Sequence, residues 1–300
     1  MKNKWFWGVI IVILVSWIGN IIYFQTKQLS EPIILNAYID RPSYERTSFS
    51  LPYLTNKNEV VELDHLLVDG YTYSNEQSFT PWFNEPSTQS YTQEFTHHFL
   101  KEATFTLDEQ DLKRLQESIQ TNKVFARFTN GQVVPVQVDK LSFTPFIMDE
   151  TIFTNTRYFT SNQGIQGHFL EVVESVTMNS IELPEVIQTQ FDLKIMVLKN
   201  TSTNSTKVND IVHTDWLEMN APLYTDIEWP LLIEAGDTVA LIFHTKDEIE
   251  DVEYISALQE WTGETLNGGA VRYSFLFQND LYLSQKQLNA FLRKARGEAK

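Results

Sequence analysis

The sequence predicts a mainly β protein: an antiparallel, β-sandwich-like region with two short helices, preceded by one N-terminal transmembrane helix. Three observations predict it. Residues 5–24 carry no charge. The rest of the chain reads as short segments rich in β-branched and aromatic residues, separated by turn signals. Only two stretches, 107–121 and 284–296, repeat their apolar residues at helical spacing.

The N-terminal run is twenty residues long. At about 1.5 Å per residue it spans roughly 30 Å, one hydrocarbon core. Lys2, Lys4 and the terminal amine precede it, and Lys27 and Glu31 lie beyond it; that asymmetry favours an N-terminus in the cytoplasm. Trp5, Phe6 and Trp7 at one end and Tyr23 and Phe24 at the other match interfacial aromatic belts. A cleavable signal has a shorter apolar region, about 7–15 residues, and small residues at its cleavage site. Here bulky residues occupy 20–25. The chain has no cysteine, which excludes anchoring by a lipid-modified one. The expected arrangement is a single-pass signal-anchor in the cell membrane, with 1–4 as a cytoplasmic tail, 5–24 in the lipid bilayer and the remainder outside. Ser16 and Asn20, one turn apart, are candidate helix–helix contacts.

Composition narrows the rest. Net charge is −16, and setting aside Lys2, Lys4 and Lys27 leaves −19 beyond the anchor. Such a balance argues against nucleic acid as a partner, since phosphates need cationic contacts. Apolar residues at 42% and aromatics at 13% argue for a folded core. Without cysteine there is no thiol catalysis, thiolate metal site or disulfide. The short charged start and the lysine- and asparagine-rich composition point to a bacterial chain, so the two sequons in 200–206 read as part of a polar loop.

In order along the exterior, 25–58 reads as a tether with a first strand in "EPIILNAYID", the rest being loops. A first β lobe is expected over 59–148. It holds a strand in "VVELDHLLVDGYTY", an alternating run in "HHFLKEATFTL", and an inserted helix at 107–121 opened by a Thr106/Glu109 capping box, with Leu112, Leu115 and Ile119 on its apolar face. A hairpin is expected at Asn130-Gly131. A second lobe is expected over 149–300, with strands in "GHFLEVVESVTM", "QFDLKIMVLK", "DTVALIFHT" and "GAVRYSFLFQ". Its C-terminal helix, 284–296, is capped by Ser284 and turns Leu288, Phe291, Leu292 and Ala295 inward. The echo of "SFSLP" in "SIELP", each leading into a strand, suggests that the lobes are related.

Candidate chemistry is sparse. No nucleophile elbow, zinc-protease helix, phosphate loop or calcium loop occurs. His97 and His98 are adjacent, so in a strand they point to opposite faces. His213 and Asp215 would share a strand face, but a third ligand is missing. The acidic run 247–253 reads as a solvated face rather than a calcium site. No metal, cofactor or catalytic residue is assigned. Trp82 and Phe83, in a proline-flanked loop, and Trp229 are candidate ligand- or partner-binding residues. The basic face of the terminal helix is a candidate contact for headgroups or a partner. The expectation is a membrane-anchored extracytoplasmic β protein that binds a partner protein or envelope component without catalysis. The alternatives are an envelope polysaccharide hydrolase with paired carboxylates and an accessory subunit of a membrane complex.

Overall fold

The computed structural model describes residues 2–76, 91–120, 123–145, 152–160, 165–199, 211, 213–246, 253–279 and 281–296. The protein is mainly β, with antiparallel sheets and an N-terminal apolar helix, α1 (Lys2–Lys27). It divides into two compact units. Unit 1 comprises 1–35, 50–105 and 121–136, and unit 2 comprises 36–49, 106–120 and 137–300.

Unit 1 contains α1 and two four-stranded sheets. One sheet has the order β1 (Ile33–Ile34), β3 (Arg46–Asn56), β7 (His98–Asp108), β6 (Gln93–Glu94), where β3 and β7 each also supply residues to unit 2. The other has the order β5 (Tyr71–Ser74), β4 (Leu63–Val68), β8 (Val124–Phe128), β9 (Val133–Pro135). Alternation along β8 buries Val124, Ala126 and Phe128 and leaves Phe125 and Arg127 outside, as one-sided burial of an antiparallel sheet requires. The Asn130-Gly131 turn closes the β8–β9 hairpin, with Gly131 at φ 87°. A second hairpin lies inside the stretch expected as one strand. Asp69 (φ 46°) and Gly70 (φ 87°) both take left-handed geometry between β4 and β5, the conformation of a primed two-residue turn.

Residues 41–43 and 46–56, expected mostly as loops, are strand. β2 (Asn36–Ser43) and most of β3 are largely buried. Pro42 is tolerated because β2 loses one neighbour beyond Asp40, where its pairing with a later strand ends.

Unit 2 is a sandwich. Its spine is β17 (Glu253–Thr265), thirteen residues long. Along one edge β17 pairs with β18 (Ala270–Gln278). Its other edge is shared by β2, parallel at 253–257, and by β13 (Val176–Glu182), antiparallel at 260–265. β10 (Lys140–Pro145) extends β2 in parallel, and β15 (Leu231–Ile233) extends β13. Lys140 fastens the parallel pair, donating to Asp40 Oδ2 at 2.7 Å and Tyr38 Oη at 3.1 Å. The second sheet has the order β11 (Phe153–Thr160), β12 (Ile165–Val172), β16 (Thr238–Thr245), β14 (Phe191–Leu198). Between the sheets lies an aromatic-rich core that includes Phe153, Leu241, Phe243, Trp261, Tyr273, Phe275 and Phe277. The opposite face of β12, β16 and β14 is buried too, under Ile211, Trp216 and Met219. Burial on both faces is why "TVALIFHT" is a continuous apolar run.

The stretch "GHFLEVVESVTM" is two strands. The chain bends at 173–175, and β12 and β13 belong to different sheets. Helix α2 (Glu109–Gln120) is capped by Asp108, whose Oδ1 accepts from Asp111 N at 2.9 Å, and not by Thr106, which bonds Ser48. A short α3 (Glu185–Gln190) begins after Pro184. In α4 (Gln285–Ala295) the Ser284/Gln287 capping box is formed and Leu288 and Leu292 are buried, while Ala295, expected inside, is exposed.

Candidate membrane-proximal collar

α1 is long and apolar enough to cross a membrane, and its apolar window is uncovered by the rest of the chain. Trp5 is 82% exposed and Trp17 68%. Ser16 and Asn20 lie on this same uncovered surface. Just past its C-terminal end the helix is clasped. Asn56, buried at the end of β3, meets Leu29 through both of its amide atoms: Leu29 N–H donates to Oδ1 at 2.7 Å, and Nδ2 donates to Leu29 O at 2.9 Å. His98 Nε2 donates to Lys27 O at 3.0 Å, and Gln132 Nε2 donates to Ser30 O at 3.0 Å. By Ile33 the chain is paired in the sheet opposite Leu54. The expected tether is therefore a short joint whose backbone is held by side chains.

The turn between β6 and β7 completes a collar around the helix end. The His97 ring meets Phe24 at 5.8 Å and Tyr23 at 6.4 Å, both edge-on. Lys57 N–H donates to His97 O at 3.0 Å. The Lys57 ammonium pairs with Glu94, which also accepts from Tyr91 Oη at 3.1 Å. The hydrogen bonds from Lys57 and then Tyr91 hold the Glu94 carboxyl below its ordinary range, and the same Glu94 bond raises the Tyr91 phenol. Tyr91 stacks on Phe99 with ring centroids 4.7 Å apart.

Deeper in unit 1, Lys101 is 1% exposed. Its ammonium donates to Glu62 Oε1 at 2.6 Å and Val61 O at 3.1 Å. Tyr53 Oη donates to Glu62 Oε2 at 2.7 Å and accepts from Leu63 N–H at 3.3 Å. Burial, and then the Glu62 charge, raise the Tyr53 phenol far above its ordinary value.

Unit 2 has its own buried polar positions. Lys194 donates to the carbonyls of Trp216 at 2.7 Å and Met219 at 3.0 Å, with the Trp216 ring 4.4 Å from its ammonium. His244 stacks on the same ring at 5.0 Å. His168, 7% exposed, sits between Tyr158 at 5.0 Å and Phe275 at 5.6 Å with neither ring nitrogen hydrogen-bonded. Desolvation pulls its pKa down to about 4.

The sequence-predicted residues fare unevenly. Trp82 and Phe83 lie outside the described residues, as do the sequons and residues 247–252. Glu253, the last of that acidic run, is buried, and its carboxylate accepts from Gln190 Nε2 at 3.0 Å. Trp229 is half-buried against the inter-sheet core, 6.4 Å from the Tyr224 ring. His213 and Asp215 do not share a strand. Asp215 Oδ1 caps a turn by accepting from Leu217 N–H at 2.9 Å. Among the described residues no three His, Asp or Glu side chains gather as a metal site. Sequence reasoning missed Asn56 and considered His97 and His98 only as metal ligands. Both histidines contact the end of α1, and no short-range pattern in the sequence pairs 97–98 with 23–27.

No protein-family model matches the chain, and no curated protein matches it. Among solved structures, it shows similarity to the collagen adhesin (CNA) from S. aureus, at 7% identity over 83% of this chain and 92% of that chain, with a TM-score of 0.23. It also shows similarity to the Enterococcus faecalis MSCRAMM ACE, described as binding its ligands by the collagen Hug model, at 9% identity over 86% of this chain and 97% of that chain, with a TM-score of 0.25. Likeness at this level has no bearing on what this chain binds.

Proposed function

We propose that this is a single-pass membrane protein that holds both β units outside the cytoplasmic membrane and acts as a non-catalytic binder of a partner protein or envelope component. One observation carries the reading. α1 is apolar on every side and uncovered, and its C-terminal end is clasped to unit 1 rather than joined by a spacer. Apolar side chains exposed all round a helix of this length call for a hydrocarbon environment, and a clasped joint suits an anchor that stays with its domain. Ser16 and Asn20 are the positions assigned to contact with a second membrane helix. Trp82, Phe83 and Trp229 are assigned to recognition outside.

The test is topological. Protease added to wall-stripped cells is expected to degrade the bulk of the chain and leave a membrane-embedded N-terminal fragment. Recovery of soluble protein beginning after residue 24 would overturn the anchor. Crosslinking in intact cells, followed by identification of the attached species, tests the binding role. A chain that crosslinks to nothing in its native envelope would leave that role without support.

A further inference from the structure

The end of a membrane helix fixes a depth. Where α1 spans the bilayer, Tyr23, Phe24 and Lys27 stand at the outer interface, and any group packed on them stands there too. The β6–β7 turn is packed on them: His97 lies 5.8 Å from the Phe24 ring and 6.4 Å from Tyr23, and the Lys27 ammonium lies 5.3 Å from the Tyr23 ring. The turn is held at that height by the His98 bond to Lys27 O at 3.0 Å and by the Lys57 N–H bond to His97 O at 3.0 Å. We propose that this collar is a lipid-contacting surface in which Lys27, Lys57 and His97 bind the phosphate of a phospholipid headgroup. The inference rests on the reading of α1 as a membrane span and adds a lipid-facing role for unit 1.

The chemistry fits one occupant. The Lys27 ammonium and the His97 ring share the Tyr23–Phe24 floor, and Lys57, over the Phe99 ring, is joined to the same turn by its backbone bond to His97 O, at the level where lipid phosphates lie. Glu94 is the opposing carboxylate, and it is engaged by Lys57 and Tyr91; Glu59 accepts from Asn56 Nδ2 at 3.3 Å. The surface is continuous with the uncovered aromatic end of α1. On a chain of net charge −16, a place where cations meet the headgroup layer also offsets the repulsion between an acidic protein and anionic lipid.

The full-length protein is reconstituted into vesicles of phosphatidylcholine, with or without phosphatidylglycerol. The chain lacks cysteine, so Thr96→Cys, next to His97, gives a unique spin-label site. The expected result is a label at headgroup depth, shielded from a water-soluble relaxant, and phosphatidylglycerol retained through detergent washing and detected by native mass spectrometry. Lys57→Ala is expected to lower retention by about fivefold and His97→Ala by a smaller factor, through loss of one ring N–H donor, while Lys57→Arg keeps it. A label as open to the relaxant as one in bulk water, or retention unchanged in both alanine variants, overturns the collar. Protein that fails to float with the vesicles at all overturns the anchor itself, and the collar with it.

Discussion

Among the described residues each unit buries one lysine, and the two solutions differ. Lys101 in unit 1 is matched by a carboxylate, Glu62, which in turn holds Tyr53. Lys194 in unit 2 is held by two carbonyls and the face of Trp216. Burying an ammonium is costly unless its donors are satisfied. The first solution ties strands β3 and β7, through a carboxylate, to the residues that lead into β4. The second pins an irregular segment over a sheet through carbonyls and a ring face. Unit 1 therefore depends on one carboxylate. Unit 2 has its acid weakness elsewhere, at His168, which lies in the core with no acceptor to stabilise a charge.

The largest effect is expected from Glu62→Ala. It leaves the Lys101 ammonium buried with one carbonyl, a situation that costs about 3–5 kcal/mol. Glu62 itself is 33% exposed on its side chain, so water entering the space brings the loss toward the lower figure. Hydrogen exchange followed by mass spectrometry should show β4 and β8 deprotected and β12 and β16 unchanged. Protection left intact in β4 and β8 would mean the ion pair is not what keeps Lys101 inside.

Acid should separate the units in the opposite sense. His168 has its folded pKa lowered from 6.5 to about 4 by desolvation. The unfolded chain binds the proton more readily, so the contribution of this group is fully present above about pH 6.5. It falls as pH drops toward about 4, below which this group causes no further loss. The whole change amounts to about 3 kcal/mol. Exchange in β12 and β16 should rise across that window, and His168→Leu should flatten the response. A variant that keeps the wild-type acid slope would place the sensitivity at another residue.

The mildest test is Trp216→Phe. It keeps an apolar ring over the sheet but weakens the contact with Lys194, with an expected cost of about 1 kcal/mol. The effect should be confined to exchange of the 213–223 segment. Loosening of β17 or β18 as well would show that this segment supports the whole sandwich.

Features written in neighbouring residues were legible in the sequence. The uncharged run of α1, the Asn130-Gly131 hairpin and the Ser284 cap each depend on contacts a few positions apart. The spine of unit 2 was not. β17 is buried on both faces over 253–257, and its buried positions include Ser256, Gln259 and Gly263, so neither an apolar alternation nor an apolar run marks it, and the acidic stretch before it reads as solvated. Gly263 is there because a β-carbon would lie 2.4 Å from Thr177 O on β13, a constraint only the paired strand reveals. The collar was illegible for a related reason: Asn56 and Leu29 are 27 residues apart, and His98 and Lys27 are 71 apart. Sequence reading only argues the two adjacent histidines out of a shared metal site, whereas here they meet the end of a helix.

The parallel pairing of β2 with β17 also sets a schedule for biosynthesis. Asn36 and Glu253, which meet across that pair, are 217 residues apart. A ribosome adding about 5–20 residues per second needs on the order of 10–40 s to deliver the second strand after the first has emerged. Throughout that interval the buried side chains of β2, Ala37 and Ile39, lack the neighbour that completes their sheet. Unit 2 is thus a late-closing structure whose first strand waits for one of its last, and chains truncated before residue 253 should persist as substrates for chaperones and quality-control proteases.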